Sequence, residues 1–219
     1  MGKMTLSQMV AQLVGGMGTS IQIFVVTLVF SLPLGLIVAF GRMTKNGFLR
    51  NLVKVYISIM RGTPLMLQLM VVYFGPYYLF GIRVGSGYRL WATFIGFVIN
   101  YAAYFAEIYR SGIQSMPQGQ YEAAYILGYS RFQTFFKIIL PQVIKRILPS
   151  ITNEVITLVK DTSLAFTLSV VEMFSVAKAL ASSQTSMIPF VAAGLFYYIF
   201  NLIVACTMEW MEKKLEYYR

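Results

Sequence analysis

The stretch Pro117-Gln118-Gly119-Gln120-Tyr121-Glu122-Ala123-Ala124-Tyr125-Ile126-Leu127-Gly128-Tyr129-Ser130-Arg131, running on to Ile138-Ile139-Leu140-Pro141, is polar and helix-favouring. It interrupts long apolar runs on either side, and that contrast decides the fold class. Of 219 residues, 58% are hydrophobic and only 12% charged, with a mean hydropathy of +0.67. Soluble domains carry about 25% charged residues. Several apolar runs here approach the roughly 20 residues needed to cross a bilayer. The chain reads as an all-α integral membrane protein with about five transmembrane helices. The quoted stretch must then meet something outside the membrane.

Composition excludes several functions. A net charge of +10 would suit nucleic acid, but the basic residues sit in the breaks between apolar runs, as expected at an anionic membrane face. No nucleic-acid partner is expected. Cys206 is the single cysteine and there is no histidine. A disulfide framework, a Cys- or His-based metal site and a Ser-His-Asp triad are therefore unavailable. No cofactor or metal is expected. Gly15-Gly16-Met17-Gly18-Thr19-Ser20 lacks the lysine of a phosphate loop and leads into an apolar run. The chain is read as carrying no ATP-binding motif and as no enzyme.

Residues 1–18 form a mixed N-terminal segment, expected to lie along the membrane surface. Spans are expected at about 19–40, 63–80, 91–109, 147–171 and 188–208. The first contains Pro33, whose missing donor invites a kink. A basic break holding Arg42, Lys45, Arg50, Lys54 and Arg61 follows it. Gly75-Pro76 is expected to bend or end the second span, and 173–186 to be a loop or surface helix. The run 21–40 is too long for a signal peptide and lacks a small-residue cleavage site, so the first span is read as retained.

Lysine and arginine positions set the orientation. With the N-terminus outside and the C-terminus inside, thirteen of them face the cytoplasm, and only Lys3, Arg83, Arg89 and Lys178 face outward. Lys160 stays within a span. This topology puts residues 117–141 in the cytoplasm.

Within that loop, Glu122-Ala123-Ala124, then Gly128, then Ile138, Leu140 and Pro141 follow the pattern EAA-x3-G-x9-I-x-L-P at every specified position. The pattern resembles the EAA loop of ABC-transporter permease subunits. Arg61-Gly62-Thr63-Pro64-Leu65, Ala106-Glu107-Ile108-Tyr109-Arg110-Ser111-Gly112-Ile113, and Asn153-Glu154 leading to Lys160-Asp161-Thr162-Ser163-Leu164 are similar to segments of the polar amino-acid permeases. These serve uptake of histidine, glutamine, arginine and cystine. The likeness covers about residues 15–215.

The resemblance implies a multi-pass subunit in the bacterial cytoplasmic membrane that works by alternating access. ATP would be hydrolysed on a separate ABC ATPase subunit. A second permease subunit, identical or homologous, and an extracytoplasmic solute-binding protein would complete the importer. It also implies that Glu122, Ala123, Ala124 and Gly128 form a coupling helix docking on the ATPase. The residues agree with a compact knob: Pro117 suits a helix start, Gly128 breaks the helix and Ser130 can cap the next one. An amphipathic segment lying on the bilayer is the alternative.

A charge inside a span costs several kcal/mol and marks a functional site by default. At about 100° per residue, Asn153, Glu154, Thr157, Lys160 and Asp161 share an arc of about 120° on the fourth span. That arc is expected to face the protein interior. Asn100 and Tyr104 give the third span a matching stripe. These seven residues are the candidate substrate pathway: Glu154 or Asp161 for the ammonium of an amino acid, Lys160 for its carboxylate. Pairing of Lys160 with Asp161 or Glu107 is the structural alternative, and Glu107 beside Arg110 is read as structural. A permease for another small solute, or a channel or secondary transporter, remains the other functional reading.

Overall fold

The computed structural model describes residues 5–215. Residues 1–4 and 216–219, where the expected N-terminal segment begins and the charged tail ends, lie outside them. The described residues are helical, with no strand among them.

Helix α1, Leu6–Met43, starts at a capping box: Thr5 and Gln8 exchange backbone-to-side-chain hydrogen bonds of 3.1 and 3.4 Å. At 1.5 Å per residue it is about 57 Å long, longer than the roughly 30 Å hydrocarbon core. Residues 6–18 thus open the same helix that carries the first span. Met9 and Leu13 are buried against Met173, Ala177, Leu180 and Ala193. Apolar packing therefore ties this segment into the bundle. Pro33 leaves the helix unbroken, and the Tyr109 hydroxyl donates to the neighbouring Leu32 carbonyl.

The basic break contains a helix that charge counting hides. Helix α2, Gly47–Gly62, is capped by Asn46, which accepts from the N–H groups of Phe48 and Leu49. Helix α3, Leu65–Phe80, follows across Thr63-Pro64 with a bend of 114°. Pro76 does not end α3. The helix stops at Gly81, whose φ of 67° suits a glycine cap. Helix α4, Tyr88–Gln114, is longer than expected. Helices α5, Gln118–Ile126, and α6, Arg131–Gln133, form the polar loop. A π-helical segment, Thr134–Ile139, leads into α7, Leu140–Asp161.

The expected fourth span, 147–171, is not one uniform helix. After α7 the chain tightens into a 3-10 helix, Thr162–Leu168, breaks at Ser169 (φ 56°), and resumes 61° away as α8, Met173–Gln184. Helix α8 is neither loop nor surface helix, because Met173, Ala177, Leu180 and Ala181 are buried. Helix α9, Ile188–Lys214, completes the bundle. Helices α1, α4 and α9 are each long and apolar enough to cross a membrane; counting each bent pair as one crossing gives five.

The core lies where α1 runs along α4, with α3, α7 and α9 closing around them through Ile23, Leu69, Phe97, Phe105, Leu158 and Val204. Small residues permit the close approach. A Cβ on Gly35 would stand 2.8 Å from the Phe105 Cβ, and Ala102, Ala103 and Ala106 are fully buried. The outer faces of α1 and α9 keep Val25, Val29, Phe30, Leu195 and Ile203 exposed. That belt is what lipid requires of a membrane protein surface.

Candidate functional site

The polar loop folds as a two-helix knob whose shape follows from its spacing. At the end of α5, Gly128 has φ 76° and donates to the Tyr125 carbonyl at 3.0 Å, while the Tyr129 N–H reaches back to Ala124 at 3.0 Å. This is a Schellman cap with glycine at the left-handed position. Ser130 then opens α6 through a capping box with Gln133. Ala124 faces inward and is 1% exposed, whereas Glu122 and Ala123 are exposed. The knob presents Tyr125, Ile126 and Leu127 at 82%, 83% and 72% exposure, beside the Phe132–Phe136 ring pair. Such contiguous apolar exposure marks a contact surface.

The candidate pathway residues do not meet at one point. Asn100 is 4% exposed and spends its amide hydrogens on the Met60 carbonyl (3.1 Å) and Gln68 Oε1 (2.8 Å). Gln68 in turn donates to the Met60 and Thr63 carbonyls and the Thr63 hydroxyl. Asn100 is thereby taken up in a clamp on the α2–α3 bend. Arg61-Gly62-Thr63-Pro64 is the bend that this clamp holds.

Tyr104 and Glu154 do come together. With Arg61, Glu107, Arg146 and Ser150 they line a cleft of about 330 Å³ between α4 and α7. Arg61 lies over the Tyr104 ring, 5.4 Å from its centroid. Glu107 pairs with Arg110 in the same helix, as expected of a structural residue. Charge of both signs beside an aromatic face can hold a small zwitterion. Arg61 was missed as a site residue because it ends a basic run; only the bend at Thr63-Pro64 turns it into the cleft.

The remaining polar residues of α7 are only partly covered by their own chain. Within one chain, Thr152, Val155, Leu158 and Val159 are the buried side of α7, while Asn153 and Lys160 are exposed and Thr157 half-buried. The Thr157 hydroxyl donates back to the Asn153 carbonyl. Asp161 accepts from the Tyr101 hydroxyl at 2.7 Å. Among the described residues Lys160 makes no ion pair within 4.0 Å, with Asp161 and Glu107 included. Helical spacing groups residues on one face, but it cannot say whether that face meets the same chain.

A model of the family described as "binding-protein-dependent transport system inner membrane component" matches residues 31–217. The chain belongs to that family. This inner membrane component is 34% identical to an L-cystine transport system permease protein of Bacillus subtilis over 206 residues, 93% of this chain and 86% of the relative. It is 34% identical to an arginine transport system permease protein of the same organism, over 92% of this chain and 91% of the relative. In three dimensions the inner membrane component superposes on a crystal structure of an amino acid ABC transporter with histidines. The TM-score is 0.86 at 27% identity, covering 98% of this chain and 100% of the other.

Glu172 is a second residue missed from sequence. It is fully buried, caps α8 by accepting from the Phe174 and Ser175 N–H groups (2.6 and 2.7 Å), and also accepts from the Tyr197 hydroxyl of α9 at 3.1 Å. A lone glutamate after two valines carries no sequence pattern that would identify it.

Proposed function

We propose that the chain is the membrane-spanning subunit of an ATP-driven ABC importer for amino acids. The knob carries this reading: a rigidly capped helix pair offers Tyr125, Ile126 and Leu127 to a partner, beside the exposed Glu122. The partner is a separate ATPase subunit, and the N-terminus lies outside the cell. ATP-driven closure of paired ATPase subunits moves the knobs and converts an inward-facing cavity to an outward-facing one. An extracytoplasmic binding protein delivers the substrate.

The exposed polar side of α7 supports a second permease subunit. Leaving Lys160 and Asn153 to lipid would cost about 2.5–3.5 kcal/mol for the lysine alone; a second subunit over this face removes that cost. The cleft supports the substrate class. Arg61 supplies a fixed guanidinium for a carboxylate, and Glu154 supplies a carboxylate for an ammonium. Tyr104 and the open side of α7 at Asn153, Thr157 and Lys160 continue the path, with Asp161 held by Tyr101. Relatives named for L-cystine and arginine transport agree with amino acids as the class.

Co-purification is the direct test. Expression of the tagged chain with its neighbouring genes is expected to recover an ATPase subunit and a binding protein carrying an amino acid. Uptake into proteoliposomes that needs neither ATP nor a partner would sink the proposal.

A further inference from the structure

The knob joins the bundle at a neck with two sides. On one side, the non-helical residues 115–117 lead into it from α4. On the other, α6, the π-helical segment and α7 run on without a break from Arg131 to Asp161. At 1.5 Å per residue this second side is a rod of about 45 Å. It carries the knob at one end and Glu154 towards the other.

Two contacts close the neck. The Arg146 guanidinium donates to the Ser115 carbonyl at 2.8 Å, and the Ser115 hydroxyl donates to the Gly112 carbonyl at 2.7 Å. Arg146 thus brings to the C-terminus of α4 the positive charge that a helix end favours. Beside it, Gly112 is buried and has no room for a side chain. A Cβ there would lie 2.1 Å from Ile147 Cγ2 and 3.7 Å from Ile147 Cβ. Ile139, Val143 and Ile147 form a buried cluster of their own at this point, with Ile113 and Met116 packed against it.

Further out, α7 meets α4 again. There Tyr101 donates to Asp161, and Phe97 and Phe105 share the main core with Val155 and Leu158. The cleft with Tyr104, Glu107 and Glu154 lies between these two attachments. Arg146, Ser150 and Glu154 fall within an arc of about 80° on α7, so the face that closes the neck continues as the wall of the cleft. A push on the knob is delivered to α7. With both attachments intact, α4 has to follow and the bundle moves as one body. With the inner one lost, α7 tilts about the outer one, and the push spreads the cleft instead.

We propose that Arg146 and Gly112 are positioning residues for coupling. They lock α7 to α4 at the neck, so that ATP-driven displacement of the knob moves both walls of the cleft together, and the neck stays closed throughout the cycle. This deepens the importer reading and rests on it.

The test uses the full chain, in a Cys206→Ser background, with its ATPase and binding-protein subunits in proteoliposomes. The probe is a radiolabelled mixture of protein amino acids with L-cystine, and the readout is amino acid imported per ATP hydrolysed. An exposed hydrogen bond of this kind biases an equilibrium by about fivefold. Arg146→Gln is therefore expected to lower the ratio by about fivefold, and Arg146→Lys to keep it near the parent's. A Cβ at Gly112 would stand at disulfide distance from Ile147 Cβ. Adding Gly112→Cys and Ile147→Cys to Arg146→Gln and oxidising the pair should restore the ratio, and reduction should lower it again. With Arg146 intact, the oxidised bridge should import at the parent's ratio. An equal ratio in Arg146→Gln and the parent overturns the proposal. A bridge that leaves the ratio low also overturns it and assigns Arg146 to the substrate. A bridge that stops import with Arg146 intact overturns it too, because the neck must then open; this arm decides even where Arg146→Gln does not assemble. A parent chain that recovers no ATPase subunit would sink the importer reading itself.

Discussion

Arg61, Tyr104 and Glu154 show how a site arises from residues far apart in sequence. Each comes from a different helix face, and the cleft exists because the Asn100–Gln68 clamp holds the bend after Arg61. Two kinds of substitution should then separate. Glu154→Gln removes a charge-assisted contact worth about 1.5–3 kcal/mol. It is expected to raise the half-saturating amino-acid concentration at least about tenfold, with the melting temperature unchanged. Unaltered uptake kinetics would move the substrate elsewhere. Asn100→Ala should do the reverse first: it strands Gln68 Oε1, costs about 1–3 kcal/mol, and shows as a lower melting temperature in detergent. Sequence spacing put Asn100 and Tyr104 on one stripe of α4, yet the structure buries one in a clamp and opens the other to the cleft. The difference is set by α2 and α3 packing against α4, which periodicity along one helix does not contain.

At the scale of elements, the knob was legible because its shape is local. A glycine after a helix, followed by a serine cap, dictates its own turn through bonds spanning five residues or fewer. Gly128→Val forces a β-branched side chain to φ 76°, at a cost of roughly 1–2 kcal/mol or more. With Glu122→Lys it is expected to leave membrane insertion intact and to uncouple ATP hydrolysis from uptake. Normal uptake by both variants in proteoliposomes would be decisive against the coupling role. Helix α8 is the opposite case. Its start depends on Glu172 reaching Tyr197 of α9. Glu172→Ala leaves the Phe174 and Ser175 N–H groups and the Tyr197 hydroxyl without their acceptor, at a cost of at least about 3 kcal/mol. Proteolysis near Ser169 should then become faster.

For the whole molecule, the exposed polar side of α7 and the lipid belt of α9 predict different chemistry from similar exposure. In a Cys206→Ser background, Asn153→Cys should be protected from a bilayer-soluble maleimide in the assembled complex. Leu195→Cys on α9 should label readily. Equal labelling of the two would leave α7 facing lipid and remove the second subunit from this face.

Composition, apolar run length and the spacing around Gly128 determined the membrane class, the all-helical fold and the local turns of the knob by themselves. These depend on hydrophobic partition and on turns that close within a few residues. The tertiary structure decided the continuity of α1 from Leu6, the helix hidden in the basic break, the broken span at Ser169, and which polar residues share the cleft. Each of these turns on which helix packs against which. Side-chain contacts between α1, α4 and α7 join residues far apart in the sequence, and no pattern read along a single segment contains them.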